Sequence, residues 1–249
     1  YDPGAYVVRD ADRELRRIWQ RAISPSDFCG RGDLAAMIPI VSDSGLGKTS
    51  LMCAFAESTD QSLPVLLLQA RDCAFGCEDA LVRLVIQRMQ GILSPSCRVE
   101  EELAIASLFS RSFFLTVLLD GLDEARDVVT VKTALSYWMQ SRIGRASVLV
   151  ASSRPDFWRR CRETSWARYV PPMEIGEREP ATVSERCTEA QNGVDGITLP
   201  GPFTPDEIRI AWVQSGGSTG ELDSLPDELR QDLNHPFTLR ACLEALRRG

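Results

Sequence analysis

Met37-Ile38-Pro39-Ile40-Val41-Ser42-Asp43-Ser44-Gly45-Leu46-Gly47-Lys48-Thr49-Ser50 is the stretch on which the fold turns. Five apolar residues make a short strand, a glycine-bearing loop follows, and residues 49–57 read as a helix. An uninterrupted apolar strand is buried on both faces, as in a parallel sheet covered by helices. The loop approaches the pattern G-x-x-x-x-G-K-[ST], which cradles phosphates between a strand and a helix. Gly45 and Gly47 let successive backbone N–H groups turn inward around an anion, and the helix adds its positive end. Lys48 is expected to reach the β- and γ-phosphates of a nucleotide, and Thr49 Oγ to ligate Mg²⁺. The expected nucleotide-binding set here is Ser44, Gly45, Leu46, Gly47, Lys48, Thr49 and Ser50. One position departs from the pattern, because Ser42 stands where the first glycine belongs, and a Cβ there clashes if the backbone needs positive φ.

The alternation continues outward from this loop. Strands are expected over 63–69, 113–119 and 147–152, with a fifth over 167–175. Helices are expected over 78–93, 100–110, 131–142 and 155–162. This is an α/β chain, a doubly wound, parallel, five-stranded phosphate-loop sheet. Beyond residue 175 the composition shifts to Gly, Pro, Thr and Glu. Short helices follow over 177–191, 205–214, 226–233 and 236–247, with Pro205 and Pro226 at first-turn positions. The expected division is an N-terminal helix and linker (1–27), a nucleotide-binding domain (28–175) and a small C-terminal helical lid (176–249). Residues 11–23 carry an apolar helical face that fits either the chain's own domain or a neighbour.

Two further strand ends carry chemistry. Thr116-Val117-Leu118-Leu119-Asp120-Gly121-Leu122-Asp123-Glu124 ends an apolar strand in a carboxylate about 70 residues after the phosphate loop. Asp120 is expected to hold the Mg²⁺ shell with Thr49, and either Asp123 or Glu124 to orient or deprotonate an attacking water. Val148-Leu149-Val150-Ala151-Ser152-Ser153-Arg154-Pro155 ends the next strand in two hydroxyls and an arginine. Arg154 is expected to sense a γ-phosphate; the plainer alternative is a surface arginine pairing with a helix carboxylate.

Composition sets bounds on these readings. The chain has 249 residues, with 28 Lys+Arg against 35 Asp+Glu for a net charge of −7. A net acidic chain does not suggest a nucleic-acid coat or a broad grip on anionic membrane, and is compatible with a local basic patch. No apolar run approaches the ~20 residues of a membrane helix, and no secretory signal is present, so a cytoplasmic chain is expected. It begins at Tyr1 rather than methionine, which suggests a piece of a longer protein. Eight cysteines are scattered without a staple pattern and read as free thiols. Cys73 and Cys77 have no second pair and only one histidine, His235, to join them, so no zinc site is expected.

The order of phosphate loop, "LLDGLDE" and "SSRP" resembles the signal-transduction ATPases called STAND, especially the NACHT branch, with NB-ARC proteins and the AAA+ ATPases as relatives. Asp27-Phe28-Cys29-Gly30-Arg31-Gly32-Asp33-Leu34 is similar to the segment that precedes the phosphate loop in that class, with Gly32 in place of its usual glutamate. Asn234-His235-Pro236-Phe237-Thr238-Leu239 is similar to the helical-domain motif whose proline packs on adenine. The resemblance implies that Phe28, Cys29, Arg31 and Pro236 join the nucleotide site. It also implies an ATP/ADP switch with Mg²⁺, effector and sensor domains flanking this fragment, and self-association of the ATP form. Gly121, where fast ATPases carry glutamate, implies slow hydrolysis. Alternatives are a non-hydrolysing nucleotide-binding scaffold and a small-molecule kinase. A GTPase is disfavoured because no N-K-x-D motif is present.

Overall fold

The computed structural model describes residues 6–23, 36–59, 63–93, 115–125, 127–162, 166, 196–199 and 201–248. Among these residues four parallel strands form one sheet in the order β1-β4-β3-β2, where β1 is Ala36–Val41, β2 Val65–Gln69, β3 Leu115–Asp120 and β4 Ser147–Ser153. The register pairs Met37 with Leu149, Val117 with Leu149 and Leu67 with Leu118. Strand β4 therefore lies between the strand that leads into the phosphate loop and the strand that ends at Asp120.

Alternate strand residues enter two separate cores, which is what double winding requires. Met37, Val117, Leu119 and Leu149 pack against helix α3 (Ala80–Leu93) and helix α4 (Val128–Gln140), around a fully buried Trp138. Ile38, Ile40, Leu118, Val148 and Val150 pack on the other face, against helix α1 (Asp10–Ile23) and helix α2 (Lys48–Ser58). The apolar stripe of α1, including Leu15, Ile18 and Trp19, thus docks on the chain's own sheet. Trp19 meets Phe55 edge-on with centroids 5.3 Å apart. Its indole N–H donates to Thr116 Oγ1 at 2.9 Å, which satisfies a polar pair inside that core.

Local signals explain most boundaries. Asp127 caps α4 by accepting from the Val129 and Thr130 N–H groups, so the helix starts before the expected 131. Ser141 ends it and caps a one-turn helix α5 (Arg142–Arg145). Pro155 opens α6 (Pro155–Cys161). A capping box of Thr204 and Glu207 opens α7 (Pro205–Gln214). Ser218 and Glu221 form a second box on α8 (Thr219–Ser224), a helix the sequence reading missed because the neighbouring glycines suggest a loop. Helices α9 (Asp227–Asp232) and α10 (Pro236–Arg248) complete the described chain. Helices α7, α8 and α10 share a small third core of Ile208, Trp212, Leu222, Leu239 and Leu243, which Val7 enters from ahead of α1.

The expected fifth strand over 167–175, and the helices over 100–110 and 177–191, lie outside the described residues. The free edge of β1 carries instead an isolated parallel bridge from Ile197 to Ile40. Ile197 N–H donates to Pro39 O at 2.8 Å and Val41 N–H to Ile197 O at 2.8 Å. Pro39 offers its carbonyl on this side, so its missing N–H faces the short bridge rather than the ladder with β4. No described helix is long and apolar enough to cross a membrane.

Candidate functional site

Because β4 separates β1 from β3, the carboxyl ends of three strands stand side by side, where open α/β sheets bind ligands. The phosphate loop leaves β1, with Ser42 N–H donating to Ser153 O at 3.1 Å across the rim. Gly45 and Gly47 take φ of +80° and +94°, a region open to glycine at little strain. Gly47 caps α2 in the left-handed conformation without a side-chain cap bond, and the first turn holds no acidic residue. The N–H groups at that end face no competing carboxylate from their own helix, which favours an anion.

Lys48 lies half-buried and donates to Ser42 O at 2.7 Å and to Asp43 O at 2.8 Å. Burial lowers its pKa below the usual lysine value, against the charges of Asp123, Asp120 and Asp43, while Arg154 assists the lowering. Thr49 Oγ1 donates to Asp120 Oδ2 at 2.6 Å, so the two residues expected to serve one cation already touch. The other oxygen of Asp120 accepts from Ser152 Oγ at 2.5 Å.

Arg154 meets Asp123 twice. Its backbone N–H donates to Oδ1 at 3.0 Å and its Nε to Oδ2 at 2.6 Å. This is the pairing that the plainer reading of Arg154 describes, since Asp123 sits in the 3-10 turn Leu122–Glu124. Glu124 is exposed and folds back over Gly121, whose φ is +75°. Residues with a side chain rarely adopt that positive φ, so this backbone disfavours the glutamate that fast ATPases carry there.

Beside the loop lies a mostly apolar cavity of about 130 Å³. Leu46, Gly47 and Ser50 line its loop side, Pro236, Leu239 and Leu243 its α10 side, and Tyr6 and Val7 close it. Pro236 therefore comes to the phosphate loop from almost 190 residues away in sequence. His235 next to it stands over Gly45, with its Cε1 3.2 Å from where a Cβ on Gly45 would be. Ser44 stays at the exposed tip of the loop. Phe28, Cys29 and Arg31 lie outside the described residues.

Tyr6 and Val7 were missed in sequence, where the only signal was a short apolar run ahead of a helix start. Asp12 anchors that run by accepting from Tyr6 Oη at 2.6 Å and from Arg9 N–H at 2.8 Å. Arg9 then reaches the C-terminal helices through Glu207 Oε1 at 3.1 Å and Gly201 O at 2.9 Å.

Among the described residues, no group of three or more His, Cys, Asp or Glu side chains is placed to hold a metal ion. Cys53, Cys73, Cys77, Cys161 and Cys242 are free thiols. Burial first, then Cys77, pushes the Cys73 thiol up to about 12, far from a zinc-binding thiolate. A hydroxyl and one carboxylate are a sparse, all-oxygen donor set. That set suits Mg²⁺, which keeps several waters and takes its remaining ligands from substrate phosphates.

No protein-family profile matches the sequence, and no curated protein matches it. Among solved structures the chain is similar to domain III of the Thermotoga maritima replication initiation protein DnaA. The identity is 16% and the TM-score 0.44, over 98% of this chain and 87% of that one. AMPPCP-bound DnaA from Aquifex aeolicus gives 14% and 0.46, over 97% and 63%. Drosophila ORC bound to DNA gives 12% and 0.45, over 96% and 62%. The chain thus spans less than two thirds of the latter two. Similarity this low assigns no function.

Proposed function

We propose that the chain is a Mg²⁺-dependent ATP/ADP-binding switch module of the STAND type, hydrolysing ATP slowly. The observation that carries this reading is the meeting of Thr49 Oγ1 with Asp120 Oδ2 at 2.6 Å beside the Lys48 ammonium. In this reading the α2 N-terminus and Lys48 bind the phosphates, and the cavity between the loop and Pro236 takes the base. Thr49 and Asp120 would hold Mg²⁺, which would neutralise phosphate charge. The Lys48 ammonium donates two of its three N–H groups to the Ser42 and Asp43 carbonyls, which leaves the third for a phosphate.

The placement of the acidic residues supports Glu124 over Asp123 as the group that activates water. The Arg154 backbone N–H holds Asp123 Oδ1 even when the arginine side chain turns to a phosphate, whereas Glu124 is exposed beside the metal-holding strand end. Arg154 is the γ-phosphate sensor, and ATP competes with Asp123 for it. A ligand shifts a switch only through differential affinity for its two forms, and Arg154 supplies that difference between ATP and ADP. We extend the reading to flanking effector and sensor domains and to self-association of the ATP form in the cytoplasm.

Nucleotide binding and turnover on one panel of variants test this. The wild-type chain should bind ATP and ADP at micromolar concentrations with Mg²⁺, and turn over far below the ~10 s⁻¹ typical of enzymes. Lys48→Ala should abolish binding of both nucleotides, Arg154→Ala should weaken ATP more than ADP, and Glu124→Gln should bind normally without turnover. Unchanged binding by Lys48→Ala would sink the reading, and fast turnover on a small-molecule acceptor would favour a kinase.

A further inference from the structure

We infer that Ser152 is a positioning residue for the divalent cation, an assignment that rests on the nucleotide reading above. Register places it there: β3 and β4 pair Leu119 with Ala151, so the next residue on β4 stands beside Asp120. Ser152 is fully buried and Asp120 only 6% exposed. The Ser152 hydroxyl donates to Asp120 Oδ1 at 2.5 Å and accepts from Gly121 N–H at 2.8 Å. Its single proton is thereby committed to the carboxylate, and through that bond it acts on a cation by way of Asp120.

The two oxygens of Asp120 are thereby given separate tasks. Ser152 holds Oδ1 toward β4, which leaves Oδ2 turned toward Thr49 at the start of α2. A carboxylate tethered at one oxygen turns less readily about its Cβ–Cγ bond, so Oδ2, which accepts from Thr49 Oγ1, stays on the cation side. The chain from Gly121 N–H through the Ser152 hydroxyl to the carboxylate also polarises each bond along it. Partners of this kind, which orient a metal-holding carboxylate without touching the metal, typically carry 10–100-fold in metal affinity (roughly).

The test is the Mg²⁺ concentration that gives half-maximal ADP binding, measured by calorimetry beside ADP binding in EDTA. Ser152→Ala should raise the Mg²⁺ requirement about 10-fold or more, and leave binding in EDTA unchanged. Ser152→Cys, nearly the same size but a weak donor, should behave likewise and stands in if the alanine variant does not fold. An unchanged Mg²⁺ requirement in a folded variant overturns the assignment. So does an equal loss with and without Mg²⁺, which is what a purely structural serine would produce. Failure of the wild-type chain to bind ADP in a Mg²⁺-dependent way defeats the nucleotide reading itself, and is told apart because it appears before any substitution.

Discussion

Lys48 shows how one side chain carries both stability and binding. Its ammonium caps two loop carbonyls, and burial holds its pKa below the ordinary 10.5 while Asp123 and Asp120 pull the other way. A cation whose pKa falls on folding disfavours the folded state while protonated in both states. That penalty is relieved as pH rises from the lowered folded pKa to the ordinary unfolded one. Polyphosphate reverses the preference because it needs the charged amine. Nucleotide affinity should therefore decline as pH rises through the lowered pKa, earlier than an exposed lysine would dictate. Titrating ADP across the alkaline range checks this, and a flat profile up to 10.5 would remove Lys48 from the phosphate contact.

At the scale of elements, the edge of β1 is the informative case. The bridge from Ile197 depends on Gly196, where a Cβ would come within 3.0 Å of Pro39 O and of Val41 Cγ2. Pro39 O is backbone and accepts from Ile197 N–H, so it cannot swing aside without disturbing the bridge. Gly196→Val should destabilise the chain by about 1–3 kcal/mol, the usual range for overpacking. Thermal unfolding reads that loss, and an unchanged midpoint would mean that the bridge is dispensable. Helix α1 shows the complementary lesson. Its stripe of Leu15, Ile18 and Trp19 is visible in sequence, but a stripe names no partner. The sheet face built from Ile38, Leu118 and Val150 supplies it.

Across the whole molecule, Arg9 ties the segment before α1 to the C-terminal helices that close the cavity. It is 5% exposed, paired with Glu207, and lies over the Phe203 ring with Cζ 4.6 Å from the centroid. Glu207 also completes the capping box of α7. Glu207→Ala should therefore cost more than the ~1 kcal/mol ceiling of an exposed pair, because the arginine it deserts is buried. It should also weaken nucleotide binding, since Tyr6, Val7 and Pro236 line the same cavity. A denaturant melt paired with ADP titration checks both, and a loss below ~1 kcal/mol would place the tie between the two parts elsewhere.

Sequence by itself determined the local physics: continuous apolar runs that had to be buried strands, glycines where a loop must turn inward, and capping residues that start helices. It also marked Lys48, Thr49, Asp120 and Arg154, because a phosphate loop and two polar strand ends follow one another in the order a nucleotide site needs. It left Asp123 and Glu124 equivalent, since adjacent carboxylates in one turn carry the same chemistry. Only the tertiary structure decided between their surroundings, by bringing Arg154 onto Asp123 across the gap between β3 and β4. The same holds for the place of β4 between β1 and β3, for Pro236 beside the loop, and for Tyr6 and Val7 in the cavity wall. These are contacts between residues distant in the chain. Spacing along a sequence specifies a period and a face, and only packing selects which faces meet.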